Sequence, residues 1–273
     1  MEEDENHPME VIVAGAGGRM GSTLLSLLPD RENLELVGAL EYEGSELVGE
    51  PVQEIEESIS PKLTIQSNPE SVANKGAVLI DFTRPDATSR FLDIAANHEV
   101  KMVIGTTGLS DDDHNKIEQT SEQTAIVQAP NMSVGINLLI DIVKEATRCL
   151  GEDFDAEVLE MHHRHKEDAP SGTARLLADK IARTRKQSLE DVETTGREGF
   201  VGERSSDEIG VMALRGGDVV GDHTVMFAGE GERIELTHRA SSRQTFARGA
   251  LRAARFLRHH DRGLFSMKEV LGL

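Results

Sequence analysis

The densest chemistry in this 273-residue chain lies in the run EMHHRHKEDAPSGTA, from Glu160 to Ala174. Its centre, His162-His163-Arg164-His165-Lys166, follows a predicted strand over Asp155–Met161, and every member can carry positive charge. The chain holds 49 acidic against 29 basic residues, a net charge of −20, so such a cationic cluster is not an arbitrary solvated face. A histidine with an ordinary pKa of about 6.5 is suited to giving or taking a proton at neutral pH. Just beyond, Pro170-Ser171-Gly172-Thr173 reads as a helix start, with Ser171 as its cap and Gly172 permitting close approach. A helix N-terminus favours anions. Cationic cluster and helix start together suit a small dicarboxylate. A metal site is not expected: HHxH lacks the i, i+4 spacing of helical ligands, and no carboxylate or Cys is obviously paired with it. Core hydrogen bonding explains one of these histidines at most.

A second motif, VIVAGAGGRMG, places Gly15, Gly17, Gly18 and Gly21 directly after a strand and at the opening of a helix. Glycines let a backbone approach a pyrophosphate, and the free N–H groups with the helix dipole hold it there. The spacing is G-x-x-G-x-x-G, with Met20 where the more usual pattern has glycine, so in isolation a tight turn without a ligand explains it too. Context favours a dinucleotide, because a second strand ends in Glu41, where a carboxylate can bond the adenosine ribose hydroxyls. Tyr42 follows, and no adjoining arginine meets a 2′-phosphate. NADH is therefore expected over NADPH, or a relaxed preference, with Arg19 in the turn still able to reach a phosphate. Further loops, GTTG at Gly105–Gly108 and APNMSVG at Ala129–Gly135, close other predicted strands, and ligands bind beyond the carboxyl ends of such strands. The substrate class that follows is a small acidic metabolite reduced by hydride transfer.

The elements that must position these groups alternate in a parallel-sheet rhythm. Strands are predicted at Glu10–Ala16, Leu34–Glu41, Ala77–Thr83, Lys101–Thr107 and Thr124–Pro130, with helices at Arg19–Leu28, Pro85–His98 and Asp111–Glu122. That is an α/β, doubly wound domain. After it, Ile136, Leu139, Ile140 and Val143 mark a helix over Ser133–Leu150, expected to bridge two lobes. Strands at Asp155–Met161, Ile209–Leu214, His223–Phe227 and Arg233–His238, parted by Gly-rich turns, predict a second α+β domain with a mixed or antiparallel sheet. The polar stretch Gln187–Asp207 reads as a long, mobile loop, and Thr245–His259 as an Ala- and Arg-rich helix returning to the first domain. The expected division is 1–130, completed by a C-terminal helix at about 241–273, and 131–240.

Composition excludes several classes. The acidic balance opposes nucleic-acid binding. No run of about eighteen apolar residues is present, and the N-terminal MEEDENHP is acidic where a signal peptide is basic and then apolar, so a cytoplasmic protein without membrane partners is expected. The single Cys149 sits in an apolar helical pattern and reads as core filler. Acidic residues spread through EEDE, DDD and EGE patches fit a halophilic-type surface, relieved of self-repulsion by a Debye length of about 3 Å in roughly molar salt.

These motifs in order, GxGGRMG, DFTRP at Asp81–Pro85, GTTG, APNMSVG, HHRHK, DAPSGTA, GDHTV at Gly221–Val225 and THRASSRQTFARGA, resemble the 4-hydroxy-tetrahydrodipicolinate reductase family from about Val11 to Leu271. HHRHK and PSGT are the most specific of them. The resemblance implies a Rossmann-like domain joined to a substrate-binding and tetramerisation domain, and a reduction yielding tetrahydrodipicolinate on the diaminopimelate route to lysine. It implies that Gly15, Ala16, Gly17, Gly18, Arg19, Met20, Glu41, Gly105, Thr106, Thr107, Ala129, Pro130, Asn131 and Met132 hold NADH or NADPH. It makes His162 the proton donor or acceptor and Lys166 a proton donor, with His163, Gly172 and Thr173 on the substrate carboxylates and a homotetramer as the assembly. Where many members have Arg after the ribose-binding Glu, this chain has Tyr42. Two other readings compete, a dinucleotide sensor without turnover and an NAD-dependent dehydrogenase of a different small acid such as aspartate.

Overall fold

The computed structural model describes residues 7–273, so most of the acidic N-terminal stretch, residues 1–6, lies outside the described residues. The chain forms two compact units, Met1–Val134 with Gln244–Leu273, and Gly135–Arg243.

The first unit is built on a 7-stranded sheet in which every pairing is parallel. Its strands are β1 (Met9–Ala14), β2 (Leu34–Leu40), β3 (Ile65–Gln66), β4 (Val78–Asp81), β5 (Lys101–Ile104), β6 (Ala125–Gln128) and, from the C-terminal segment, β12 (Gly263–Phe265), in the order β12-β6-β5-β4-β1-β2-β3. Short runs of β-branched and aliphatic residues form these strands because both faces are covered. Along them, Val11, Val13, Ile80, Val103 and Val127 enter one core with Leu24 and Leu25 of helix α1 (Arg19–Leu27) and Ala250 and Ala254 of α7 (Gln244–Phe256). The alternating Ile12, Leu79, Met102, Ile104 and Ile126 enter the other, with Leu92 of α2 (Pro85–His98) and Ile117 of α3 (Asp111–Ser121). The predicted helix returning to this unit is thus α7. The edge strands β3 and β12 and the short C-terminal helix α8 (Met267–Leu271) carried no period long enough to be read from sequence.

In the second unit α4 (Val134–Leu150) and α5 (Gly172–Thr184) cover one face of a sheet ordered β11-β10-β7-β9-β8. Its members are β7 (Asp155–His162), β8 (Glu193–Thr194), β9 (Ile209–Arg215), β10 (Gly221–Gly229) and β11 (Glu232–Ala240). The β10 pairings are antiparallel and those of β9 are parallel, so the sheet is mixed, as expected. Ala156, Val158, Val211, Val225 and the fully buried Phe227 meet Ile136, Leu139 and Val143 of α4 and Leu177 and Ile181 of α5.

Two sequence expectations are corrected here. Cys149 is exposed. The buried stripe of α4 runs through Ile136, Leu139, Val143 and Thr147, and position 149 lies about 200° round from Thr147 at 3.6 residues per turn. The stretch from Gln187 to Asp207 is not one structureless loop, because it opens with a one-turn helix, α6 (Leu189–Val192), and the strand β8. Leu189 and Val192 pack on the core. The remainder is strapped to the sheet by Arg197, paired with Glu157 and Glu208, and by Arg204, which reaches Asp155 and Glu157. Ion pairs, not apolar periodicity, order it.

Candidate active site

In the first unit the order of strands reverses at β1 and β4, with β2 and β3 on one side and β5 and β6 on the other. Such a switch point opens a crevice at the carboxyl ends of the strands. The turn after β1 occupies it. Gly15 has φ +68, and a β carbon there would lie 3.0 Å from Thr83 Cγ2, beyond the end of β4. At Gly21 a β carbon would sit 2.0 Å from the Gly15 carbonyl oxygen, so only glycine lets α1 start this close to β1. Gly18 is the N-cap of α1 and no side chain caps that end, so the first-turn N–H groups after it are left for an anion. Gly17, Gly18 and Arg19 are exposed, Ala16 is buried and Met20 packs on the core.

Glu41, just past β2, accepts the Gly17 N–H at 2.8 Å through Oε1, which joins this carboxylate to the glycine turn. Tyr42 is 67% exposed beside it, with no positive charge of its own. Gly105–Thr107 follows β5 and Ala129–Met132 follows β6, so every predicted cofactor residue lies at the carboxyl edge of the sheet. Their side chains divide: Thr106, Ala129 and Met132 are buried, Thr107 and Pro130 are exposed, and the half-buried Asn131 accepts the Ser133 N–H at 2.8 Å. Sequence reading passed over Asp81, which is fully buried at the end of β4 and accepts from Thr83 N (2.8 Å), Thr83 Oγ1 (2.5 Å) and Thr88 Oγ1 (2.5 Å). Burial raises its pKa against the opposing pull of these donors. The carboxylate shapes the DFTRP turn that meets Gly15.

In the second unit, strand register gathers the chemistry. Glu160 and His162 are two apart on β7 and share its buried face. Register pairs His162 with Arg215 of β9 and Glu160 with His223 of β10. His162 therefore belongs to the strand, one residue beyond its predicted end. Its Nδ1 lies 2.6 Å from Glu160 Oε2. Arg215 binds the same carboxylate through both Nη atoms, at 2.8 and 2.9 Å. The missing carboxylate partner of the HHxH cluster is thus present, and it is tied to an arginine. Among the described residues no cluster of His, Cys, Asp or Glu has the arrangement of a metal site. Burial works to raise the Glu160 pKa, but Arg215, His162 and the Ser171 N–H outweigh it and hold the carboxyl below its usual range.

Ser171 caps α5 as predicted, its Oγ accepting from Ala174 N at 3.2 Å. That hydroxyl also meets His223 Nε2 at 3.2 Å, and the His223 ring stands edge-on to His162 with centroids 5.1 Å apart. Burial, then the charge of His162, pushes the His223 pKa down to about 4, so this ring is neutral at pH 7. His163 is depressed too, by burial and then by Arg243, His162, His165 and Lys166. Lys166 Nζ rests on the exposed Asp168, at 2.7 and 2.9 Å from its oxygens. Gly172, at the start of α5, is exposed. Sequence reading missed Glu160, Arg215, His223, Asp168 and Arg243. Only the E-x-H alternation on a strand was there to signal the first.

The His223 shift has a consequence for stability. Above about pH 6.5 the ring is neutral folded or unfolded, whereas below it only the unfolded chain gains the proton, down to about pH 4. Acidification across that window is expected to cost up to about 3 kcal/mol through His223. Urea denaturation of His223→Gln at both ends of the window should show a correspondingly shallower decline, and equal declines would contradict the assignment.

A family model described as dihydrodipicolinate reductase, N-terminus, matches residues 9–132, and the C-terminus model matches residues 135–271. The 4-hydroxy-tetrahydrodipicolinate reductase of Nitrosospira multiformis is 48% identical over 265 residues, covering 97% of this chain and 98% of that one. Its counterpart from Nitrosomonas europaea is 46% identical over 266 residues, covering 97% and 99%. A solved structure, dipicolinate-bound dihydrodipicolinate reductase from a Paenisporosarcina species, aligns with a TM-score of 0.74 at 25% identity over 96% of this chain and 98% of that one. Both the glycine turn and the histidine cluster fall within the matched spans, and the chain belongs to the dihydrodipicolinate reductase family.

Proposed function

We propose that the second unit binds 4-hydroxy-tetrahydrodipicolinate and that His162 and Lys166 manage its protons during reduction to tetrahydrodipicolinate. The observation that carries this reading is His162, buttressed by the buried Glu160 and set beside the Ser171–Thr173 helix start. His163, Gly172 and Thr173 hold the substrate carboxylates, where a ring N–H and the helix dipole both favour an anion. The 4-hydroxyl leaves as water, with a proton that Lys166 donates after leaving Asp168 for the substrate. His162 Nε2, with Nδ1 held by Glu160, takes the neighbouring ring proton in that elimination, and once hydride has added to the conjugated ring a proton is returned there, so that hydride and one proton enter and water departs. A reduced nicotinamide nucleotide, when bound by Gly15–Met20, Glu41, Gly105–Thr107 and Ala129–Met132, supplies the hydride. The uncapped start of α1 and the Gly17–Glu41 hydrogen bond fit that group.

Dipicolinate, a flat dicarboxylate bound by the Paenisporosarcina relative, tests the substrate half. It is expected to compete with substrate and not with NADH, and to bind His163→Ala about tenfold or more weakly, the worth of one charge-assisted hydrogen bond. Competition with NADH alone would contradict the placement.

The exposed Tyr42 supports NADH as the better donor. Tyr42→Arg is expected to raise the NADPH-to-NADH ratio of kcat/KM by about tenfold, again one charge-assisted bond. An unchanged ratio would show that another group, such as Arg19, reads the 2′ position. The uncovered face of the second sheet, carrying the exposed Leu214, supports a homotetramer. The charge of −20 supports a cytoplasm rich in salt. No described helix is long and apolar enough to cross a membrane.

A further inference from the structure

Glu160 is fully buried, and both of its oxygens are committed. Oε2 meets His162 Nδ1 at 2.6 Å and Arg215 Nη1 at 2.8 Å, while Oε1 accepts from the Ser171 backbone N–H at 3.0 Å and Arg215 Nη2 at 2.9 Å. Arg215 is fixed in turn by the Asp168 carbonyl at 2.6 Å and the Leu214 carbonyl at 2.6 Å. The contacts join β7, β9 and the start of α5. For stability alone, apolar residues of similar volume hold such a junction as well as a buried ion pair, whose desolvation costs several kcal/mol per ion. A junction this expensive, with a histidine ring as one arm, points to the ring.

We propose that Glu160 is the positioning residue of the reduction: its carboxylate holds His162 in the tautomer with Nδ1–H donated inward, leaves Nε2 for the substrate, and ties that ring to Ser171. The proposal rests on the reading of His162 as the proton-handling group. The far side of the ring is kept open by Gly221, where a β carbon would come within 3.0 Å of Nε2. The other oxygen anchors Ser171, which opens the helix whose Gly172 and Thr173 the proposed function places on the substrate carboxylates, a bond that the amide oxygen of Glu160→Gln can still accept. One side chain thereby sets the distance between the proton group and the anion site. Misplacement by about 1 Å in such a pair costs about 100-fold in rate.

The neighbouring His223 does not take this role. Its Nε2 meets the Ser171 hydroxyl and its Nδ1 is buried without a hydrogen-bond partner. It packs the junction as a neutral ring. Substitution there should therefore disturb stability more than rate.

A double-mutant cycle in the full-length enzyme separates positioning from simple support. Glu160→Gln is expected to lower kcat by about 10- to 100-fold, the range seen when the partner that orients a functional histidine is lost. Substrate KM and NADH affinity should stay within about threefold, and in the His162→Ala background the same change should cost less than about threefold. Equal cost in both backgrounds would overturn the proposal alone, as would unchanged kcat with a lowered Tm. A fully active His162→Ala would overturn the proton-handling reading and this proposal with it. Should Glu160→Gln not fold, Glu160→Asp keeps the charge and shortens the reach. It is expected to lose kcat with KM retained, and full activity in it would overturn the proposal.

Discussion

Replacing Lys166 by Ala is expected to lower kcat by about 100- to 10,000-fold, the usual worth of a positioned general acid, with NADH affinity unchanged. The ammonium stands on Asp168 in a cluster that also holds His162, His163 and His165, and its nearest anchor is an exposed, replaceable carboxylate. A side chain held that way is free to move to substrate. His162→Ala should act similarly on kcat, and the double variant should lose little more than the worse single one, because groups serving one proton path are not additive. Steady-state rates together with NADH titration check this. Parallel loss of NADH binding would mean that the cluster serves the nucleotide and not the reaction.

Gly21→Val is expected to abolish most nucleotide binding by a different route. A β carbon there would lie 2.0 Å from the Gly15 carbonyl oxygen and 2.8 Å from Ala16 Cα, both backbone, so neither neighbour can rotate away. The turn must open, at a cost of about 1–3 kcal/mol or about 10- to 100-fold in NADH affinity. Dipicolinate binding, which the proposed site assigns to the second unit, should survive. Gly196, with open space around its Cα and no positive φ, is the control, and Gly196→Ala should bind NADH normally. Isothermal titration of both ligands into each variant reads the contrast. Unimpaired NADH binding by Gly21→Val would remove the turn from the nucleotide site.

The first unit was legible because its strands are buried on both faces. Continuous apolar runs such as Val78–Ile80 and Met102–Ile104 admit few alternatives, and glycines with one tolerable backbone position mark the turn between β1 and α1. Edge strands β3 and β12 escaped because pairings of two or three residues have no period to detect. Cys149 was misjudged by counting apolar neighbours without following the helix round to its outer face. At the candidate site, the cationic residues contiguous in sequence stand out, whereas Glu160 and Asp168 in the same run do not, nor do those brought in by register. His162, Lys166 and Ser171 lie within one short run, whereas Arg215 and His223 reach Glu160 and His162 only because β9 and β10 flank β7. Polar networks of this kind follow strand order, which no local pattern reveals. The straps at Arg197 and Arg204 were hidden for the same reason, since charge pairing across 40 or more residues leaves no trace in composition.

The two competing readings, a sensor without turnover and a dehydrogenase of another small acid, diverge from the reductase in one assay. Freshly generated 4-hydroxy-tetrahydrodipicolinate is added to the wild-type chain with NADH, and separately with NADPH, and nicotinamide oxidation is followed. Rapid oxidation is expected with NADH at least, dependent on substrate and lost in His162→Ala and Lys166→Ala. No oxidation with either nucleotide, from a chain that still binds NADH, would contradict the assignment of this cluster to the reduction.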